Sequence, residues 1–468
     1  MNYNQLLSET RLRPSTSERE KSLVIETESD KARIVFSAPF RRLQKKAQVF
    51  PLEQNAAVRS RLTHSLEVAT IARQIAQKIV LKVNSLNPEQ KDAFINIIES
   101  ACLLHDIGNP PFGHFGEAAI SNWFTEKGKT EFAHHRKEKP DWYEDLEKFE
   151  GNAQGLRIIT KLQSEDQFGL NLTCSTIAAY LKYTYPEHKR KEALARKMPF
   201  SKKNGFFLTE QPQVLKTWEI LGLEHHRRHP LTFVMEAADD IAYCLSDIED
   251  GIEKNIISFQ ELIEHIQKNV NSLCETHRTF WEQVKKHANK DSLPTSQFIA
   301  LRTFLINKST STAADHYAAN EADILDGSFS ESLLDKSSSE YAILEIIREF
   351  VSKNVYTARE AEMLELAGNS AISGILEKLK PILDLPKDSF DALLNEDNKQ
   401  IKNLGLHTEK RLLHLIPTQC KKCYRSQTLA SPHLEWFNRA HLVIDYISGM
   451  TDDYALDIYQ KLAGIKIA

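Results

Sequence analysis

The sequence is poor in cysteine, glycine and proline, and it contains no long apolar run. Its 468 residues include six cysteines, 16 glycines and 16 prolines. Because the cysteines are few and their spacing shows no disulfide framework, they favour a reducing compartment over a disulfide-stapled fold. The small numbers of glycines and prolines favour long helices over turn-rich sheets. No stretch approaches the roughly 18 consecutive apolar residues of a membrane span, and residues 1–16 lack the apolar core of a signal peptide. We therefore expect a soluble cytoplasmic protein without membrane contact.

An excess of charge of one sign is also missing. The 60 lysines and arginines are matched by 64 aspartates and glutamates, which gives a formal net charge of −4. Such a chain has no overall field that would draw a polyanion, so any anion site must be built locally. With 41% hydrophobic residues, the chain is not of the disordered class, and its length allows a large core.

Apolar residues recur at helical spacing in several segments. The spacing predicts helices over residues 62–80, 92–104, 116–123, 231–252, 342–351, 358–366 and 434–446. Residues 23–25 and 205–209 are weak candidates for strands. Three polar segments resemble loops or insertions: 126–150, 189–203 and 308–339. The pattern as a whole predicts an all-α fold.

A histidine–aspartate pair, His105-Asp106, ends the second predicted helix. Burying an unpaired carboxylate is costly, so this aspartate needs a cation, hydrogen bonds or water. Taken alone, the pair would more often be a capping aspartate beside a core histidine. The metal-site interpretation gains support from two further residues, His64 near the start of the first predicted helix and Asp239 within the fourth. Two nitrogen and two oxygen ligands suit a divalent metal with open positions, and Mn, Mg, Fe, Co, Ni and Zn all remain open.

These four residues and their surroundings resemble the signature of the HD-domain metal-dependent phosphohydrolases, and more narrowly the deoxyguanosinetriphosphate triphosphohydrolase (dGTPase) family. The resemblance implies an all-α fold with an HD-domain helical core, additional C-terminal helices and charged insertions. It implies hydrolysis of dGTP to the nucleoside and inorganic triphosphate by attack of water at the α-phosphorus, with other dNTPs as further candidate substrates. The stretches that carry it follow the family's order along the chain: 40–50, 59–65, 105–117, 150–155, 169–173, 238–243 and 445–452.

The resemblance also implies a division of the chain and a set of partners. Residues 1–55 would contribute to the nucleotide site, and residues 56–260 would form the catalytic core, with insertions near 126–150 and 186–204. Residues 261–468 would complete the site and supply oligomer contacts. The best-known bacterial members imply a homohexamer, and single-stranded DNA is a further expected partner. Mn²⁺ or Mg²⁺ is the favoured ion, with Co, Ni, Fe and Zn as alternatives.

His114 and Glu117 lie three residues apart at the start of a predicted helix, so both can share one face. A carboxylate that accepts a proton from one imidazole nitrogen fixes the tautomer and leaves the other nitrogen to face the substrate. The resemblance gives His114 and Glu117 the catalytic role. The alternative is a glutamate that only complements the helix dipole.

Asp239, Tyr243 and Asp247 lie at positions i, i+4 and i+8, hence on about one stripe of a helix. Tyr243 would bound the deoxyribose and reject a 2′-hydroxyl, although simple core packing is an equal alternative. Asp247 would lie deeper along the same pocket.

Four further side chains are candidates for contacts with the base and the phosphates. Gln48 can both donate to and accept from guanine, its position resembles the family's nucleobase-contacting glutamine, and Val49 would pack nearby. Arg61, three residues before His64, can bind a phosphate bidentately. Lys182 matches a lysine that the family places near the phosphates, and a surface lysine is the alternative.

Two other functions stay open. The first is an HD phosphohydrolase that acts on another nucleotide. The second is a single-stranded nucleic-acid-binding protein whose HD site is regulatory, with the lysine- and arginine-rich segment 189–203 as its surface. Runs of like charge are more often solvated loops.

Overall fold

The computed structural model describes residues 2–15, 20–163, 168–288 and 294–466. Within these ranges the regular elements are helices, and extended pairing is limited to two isolated bridges, Arg11 with Thr173 and Ala47 with Ser60. The all-α prediction is confirmed. None of the described helices combines the length and apolar character that crossing a bilayer would need.

The first thirteen α-helices cover the chain up to residue 253: α1 Tyr3–Leu6, α2 Leu23–Val35, α3 Ala38–Arg42, α4 Arg61–Lys82, α5 Pro88–Leu104, α6 Gly113–Lys129, α7 Ala133–Glu138, α8 Pro140–Glu147, α9 Gly151–Arg157, α10 Cys174–Tyr180, α11 Glu187–Ala195, α12 Gln211–Leu221 and α13 Pro230–Glu253. A short π-helix, Ile158–Leu162, follows α9, and a single 3₁₀ turn, Leu43–Lys45, follows α3.

The remaining α-helices are α14 Phe259–Val270, α15 Glu275–Ala288, α16 Pro294–Ala319, α17 Glu321–Asp326, α18 Ser339–Asn354, α19 Arg359–Asp384, α20 Lys387–Leu394, α21 Asn398–Leu404, α22 His407–Leu415, α23 Thr418–Ala430, α24 Glu435–Ser448 and α25 Asp452–Leu462. A 3₁₀ turn, Pro432–Leu434, precedes α24.

Side-chain caps fix the starts of the two helices that carry the candidate histidines. Ser60 and Thr63 form a reciprocal capping box at the start of α4, so the register of His64 in its first turns is set locally. Asn87 and Gln90 do the same for α5, whose first residue is a proline and needs no N–H partner there. α5 ends at Leu104, directly before the His-Asp pair.

Two hydrophobic clusters form the core. The first includes buried faces of α4, α5 and α13, and the second includes buried faces of α6, α19 and α24. A cavity of about 800 Å³ lies where the clusters meet, since Met235 of the first cluster and Phe112 of the second both line it.

Both strand predictions are wrong. Residues 23–25 open α2, because Ser22 caps that helix by accepting from the N–H of Ile25. The polar residues that follow conceal the helix in the sequence: Glu26 and Asp30 are buried against the guanidinium of Arg11, at 2.7 and 2.6 Å. Residues 205–209 form irregular backbone and a turn.

The loop predictions are wrong over much of their length. Segment 126–150 contains the end of α6 together with α7 and α8, and segment 189–203 begins within α11. Segment 308–339 contains the end of α16 and all of α17. In α16 the polar residues Ser309 and Thr310 are fully buried, and Thr310 accepts a hydrogen bond from Lys78 Nζ at 2.6 Å. A composition typical of loops therefore belongs to a packed helix.

Candidate active site

Three potential metal ligands from three helices meet at one point. His64 lies near the start of α4, His105 caps the end of α5, and Asp239 lies within α13. Oδ1 of Asp239 lies 3.4 Å from Nε2 of His64 and 3.6 Å from Nε2 of His105. One donor atom from each residue lies within 4.8 Å of the other two, so the group could hold a metal ion.

The tautomer of His105 suits a ligand. Its Nδ1 lies 2.7 Å from the carbonyl oxygen of Cys102, and a carbonyl can only accept. Nδ1 therefore carries the proton, and the Nε2 lone pair faces the carboxylates. Two imidazoles and a carboxylate form a mixed nitrogen–oxygen donor set that fits a divalent transition metal.

Asp106 lies beside this group but is engaged by other partners. Its Oδ2 is 3.7 Å from Nε2 of His105 and accepts a hydrogen bond from Arg61 at 2.7 Å. Its Oδ1 accepts from the side-chain amide of Asn109 at 2.5 Å. The structure thus brings all four sequence-predicted metal residues together, with Arg61 acting as a counter-charge.

Both carboxylates are held in the charged form that a metal needs. Burial by itself would raise the pKa of Asp239, but His105, His64 and Lys182 outweigh it and hold that pKa well below its usual range. Burial likewise opposes ionisation of Asp106, and the charge of Arg61 with the two imidazoles again lowers its pKa far below the ordinary value.

The cavity collects all of the sequence-predicted site residues except Glu117, which lies behind His114. The cavity-lining members are Gln48, Val49, Arg61, His64, His105, Asp106, His114, Lys182, Asp239, Tyr243 and Asp247. Their positions span 48–247, so tertiary packing rather than local sequence assembles the site.

His114 and Glu117 form the predicted pair at the start of α6. Nδ1 of His114 lies 2.9 Å from Oε2 of Glu117, and Oε1 accepts a hydrogen bond from the N–H of Gly151 at 2.8 Å. The imidazole is 75% exposed and the carboxylate is mostly buried, so the ring faces the open cavity and the acid supports it from behind. Burial would raise the pKa of Glu117, but its hydrogen bond from His114 and nearby positive charges lower it.

The other predicted substrate residues are partly engaged within the chain. Nζ of Lys182 lies 3.5 Å from Oδ2 of Asp239. Asp247 accepts from the hydroxyl of Tyr356 at 2.5 Å. Tyr243 lies under a guanidinium, with Arg348 5.2 Å from its ring centre. Gln48 lines the cavity, and its Oε1 atom is buried without a hydrogen-bond partner among the described residues.

Sequence reasoning missed several residues of the cavity wall. Tyr356 comes from the connection between α18 and α19, and Glu362 and Glu365 come from the first two turns of α19. Lys203 comes from the basic segment 189–203, and its Nζ lies 2.9 Å from Oε1 of Glu150. No local pattern marks these residues, because their neighbours in space are distant in sequence.

Comparisons with known proteins agree with this geometry. Residues 61–183 match the HD domain family, and residues 410–461 match the phosphohydrolase-associated domain family. The chain is 38% identical to the deoxyguanosinetriphosphate triphosphohydrolase of Yersinia enterocolitica, over 96% of both chains. It is 37% identical to the protein of the same name from Serratia proteamaculans, again over 96% of each. The chain belongs to the deoxyguanosinetriphosphate triphosphohydrolase family.

In this member of the dGTPase family, most of the candidate metal and catalytic residues lie within the HD match. The HD match runs from α4 to just beyond α10 and contains His64, the His105-Asp106 pair and His114. Asp239 on α13 lies outside it. The phosphohydrolase-associated match runs from within α22 to near the end of α25.

Proposed function

We propose that the protein hydrolyses dGTP to deoxyguanosine and inorganic triphosphate with the help of a divalent ion. The observation that carries this proposal is the meeting of His64, His105 and Asp239 in the cavity that also receives His114. The relatives that match the chain over almost its whole length are named for the same activity.

His64, His105 and Asp239 would hold the ion, with Asp106 beside them. A bound divalent ion would lower the pKa of a water molecule and polarise a phosphoryl oxygen. We favour Mn²⁺ or Mg²⁺ from the family resemblance, and the two imidazoles also suit Fe, Co, Ni or Zn.

The side chains would place the substrate for attack of water at the α-phosphorus. The water oxygen forms a new bond to that phosphorus, and the bond from the phosphorus to the 5′ oxygen breaks. Deoxyguanosine leaves with a proton on its 5′ oxygen, and the triphosphate is released in one piece. Arg61 and Lys182 supply positive charge for the phosphates. His114 gives or takes the proton at the reacting oxygens, and Glu117 holds its Nδ1–H so that Nε2 faces the substrate.

The remaining contacts would set sugar and base preference. Tyr243 and Asp247 lie on one stripe of α13 and both line the cavity, so they would bound the deoxyribose. Gln48 and Val49 line the same cavity from the N-terminal segment and would contact the base.

The assembly, the partners and the location are also proposals. We propose a cytoplasmic homo-oligomer, a hexamer by resemblance, with residues 261–468 supplying contacts. Single-stranded DNA would bind the basic segment around α11, and loss of salt-dependent binding after neutralisation of that segment would support this surface. Binding that survives the neutralisation would exclude it.

Product analysis tests the proposed reaction. The purified protein is incubated with each dNTP and each candidate metal, and both products are identified. Deoxyguanosine with inorganic triphosphate supports the proposal, whereas pyrophosphate or phosphate would indicate another nucleotide hydrolase.

A variant pair tests the role of His114. His114→Ala should abolish turnover and leave metal content intact. His134→Ala is the matched control, since that histidine is 81% exposed and lies outside the cavity lining. Retained activity in His114→Ala would contradict the mechanism.

A further inference from the structure

One buried carboxylate joins two separate segments of the cavity wall. Asp452 is the first residue of α25 and is 2% exposed. Its Oδ2 accepts a hydrogen bond from the backbone N–H of Ala47, and its Oδ1 accepts from the N–H of Phe112, each at 2.9 Å. Ala47 adjoins Gln48 on the base side of the cavity, and Phe112 stands two residues before His114 on the proton-transfer side.

The carboxylate does not serve its own helix. Thr451 caps α25 by accepting from the N–H of Tyr454. Both oxygens of Asp452 are instead directed to backbone donors 405 and 340 residues away in the sequence. A buried acid with this arrangement makes a link between distant segments rather than a local cap.

The turn at Phe112 needs such support. Phe112 has φ +61°, a left-handed conformation that is unfavourable for a residue with a side chain. It directly precedes α6 at the N-cap position and makes no side-chain cap there. At Gly113 a Cβ atom would lie 2.6 Å from Nη2 of Arg61, so the backbone passes close to the guanidinium. The start of the helix that carries His114 therefore depends on contacts from outside the turn.

Lys46 makes a second tie between the same segments. It is 3% exposed, and its Nζ donates to the carbonyl oxygens of Asn109 at 2.5 Å and Ser448 at 2.8 Å. The side chain of Asn109 in turn donates to Asp106. The base-side segment is thus fixed at two points of the turn between α5 and α6, Asn109 in its middle and Phe112 at its end.

We propose that Asp452 is a positioning residue that holds the base-contacting segment in register with the turn that places His114. The proposal rests on the proposed function, because the roles of Gln48 and His114 do. Its chemistry requires a carboxylate: two backbone N–H donors need two acceptor oxygens, and an amide offers only one.

The test compares Asp452→Asn with Asp453→Asn. Asp453 is the adjacent residue of the same helix. Its side chain is 49% exposed and lies 3.4 Å from Nζ of Lys45, so the control makes the same chemical change in a solvent-exposed ion pair, which stabilises little, instead of in a buried link. Amide hydrogen exchange is measured in residues 44–50 and 108–113 without nucleotide. We expect exchange at least about tenfold faster in both segments of Asp452→Asn and unchanged exchange in the control.

Kinetics supply a readout that a purely structural role would not move. For Asp452→Asn we expect kcat with dGTP to fall at least about tenfold and the dGTP-to-dATP ratio of kcat/KM to fall with it, at unchanged metal content. Unchanged exchange, faster exchange in one segment only, or a loss of activity with an unchanged ratio would overturn the proposal. So would a variant that fails to fold.

Different results would refute the proposed function and the proposed role of Asp452. A wild-type enzyme that releases no inorganic triphosphate from dGTP refutes the proposed function. The exchange experiment needs no turnover, and it reports directly on whether Asp452 links the two segments.

Discussion

Replacement of Glu117 by glutamine tests the proton-transfer pair with the smallest change in shape. The carboxylate faces two donors, Nδ1–H of His114 at 2.9 Å and the N–H of Gly151 at 2.8 Å. Glutamine keeps one acceptor oxygen and replaces the other with an NH₂ donor. If the oxygen stays with Gly151, the NH₂ group faces Nδ1 of His114 and turns that nitrogen into an acceptor.

The expected loss follows from the tautomer and the charge. In the variant the neutral ring carries its proton on Nε2, and the carboxylate that would support an imidazolium is gone. A positioned acid or base contributes about 10²–10⁴-fold to a rate, which corresponds to roughly 3–5 kcal/mol of transition-state stabilisation. We therefore expect kcat for Glu117→Gln to fall about 10²–10³-fold, with KM changed less than about twofold.

The assay follows release of deoxyguanosine by chromatography and bound metal by mass spectrometry. Glu126→Gln on the same helix is the control, because that side chain is 72% exposed and its carboxylate lies 3.0 Å from Nζ of Lys129, away from the pair under test. Its kcat should equal that of the wild type. A Glu117→Gln enzyme that keeps kcat within about twofold would refute the reasoning. A variant that loses its metal together with its activity would move Glu117 to the metal site.

Three further outcomes are expected. Gln48→Ala should lower the dGTP-to-dATP ratio of kcat/KM about tenfold, the value of one hydrogen bond; an unchanged ratio would exclude Gln48 from base recognition. Asp239→Asn should leave less than about a tenth of the wild-type metal after dialysis, and full occupancy would show that Asp239 is no ligand. Burial lowers the pKa of His229 to about 4, so folded His229 stays neutral at pH values where the unfolded chain takes up a proton. Its contribution to stability is present above the usual histidine pKa and is lost as pH falls: about 2 kcal/mol between about pH 7 and about pH 5. Urea titrations should show that His229→Asn removes this loss, and equal pH slopes would contradict it.

The long amphipathic helices were predictable because their apolar spacing reports burial directly. The spacing predicts 62–80 and 231–252, and the structure has Arg61–Lys82 and Pro230–Glu253. α2 was missed because tertiary contacts determine its buried face: Glu26 and Asp30 point inward to Arg11, which no local pattern reveals.

The candidate site also contains residues that the sequence predicts and residues that only the fold reveals. His64, His105, Asp106 and Asp239 could be selected because metal chemistry restricts the residue types, and family order restricts their positions. The residues that support them are ordinary in the sequence. Asp452 becomes informative only when the fold brings it to backbone donors hundreds of residues away.

The charges of the cavity give a physical reason for a metal ion in the proposed reaction. Within the described residues, three lysine or arginine side chains line the cavity, and each is already close to a carboxylate: Arg61, Lys182 and Lys203. Seven acidic residues of the described chain also contribute to the lining: Asp106, Glu150, Glu236, Asp239, Asp247, Glu362 and Glu365. A nucleoside triphosphate brings several more negative charges into this cavity. At the low effective dielectric of a buried site such like charges repel strongly unless a cation intervenes. A divalent ion at the His64–His105–Asp239 group would therefore allow the phosphates to approach as well as activate the attacking water.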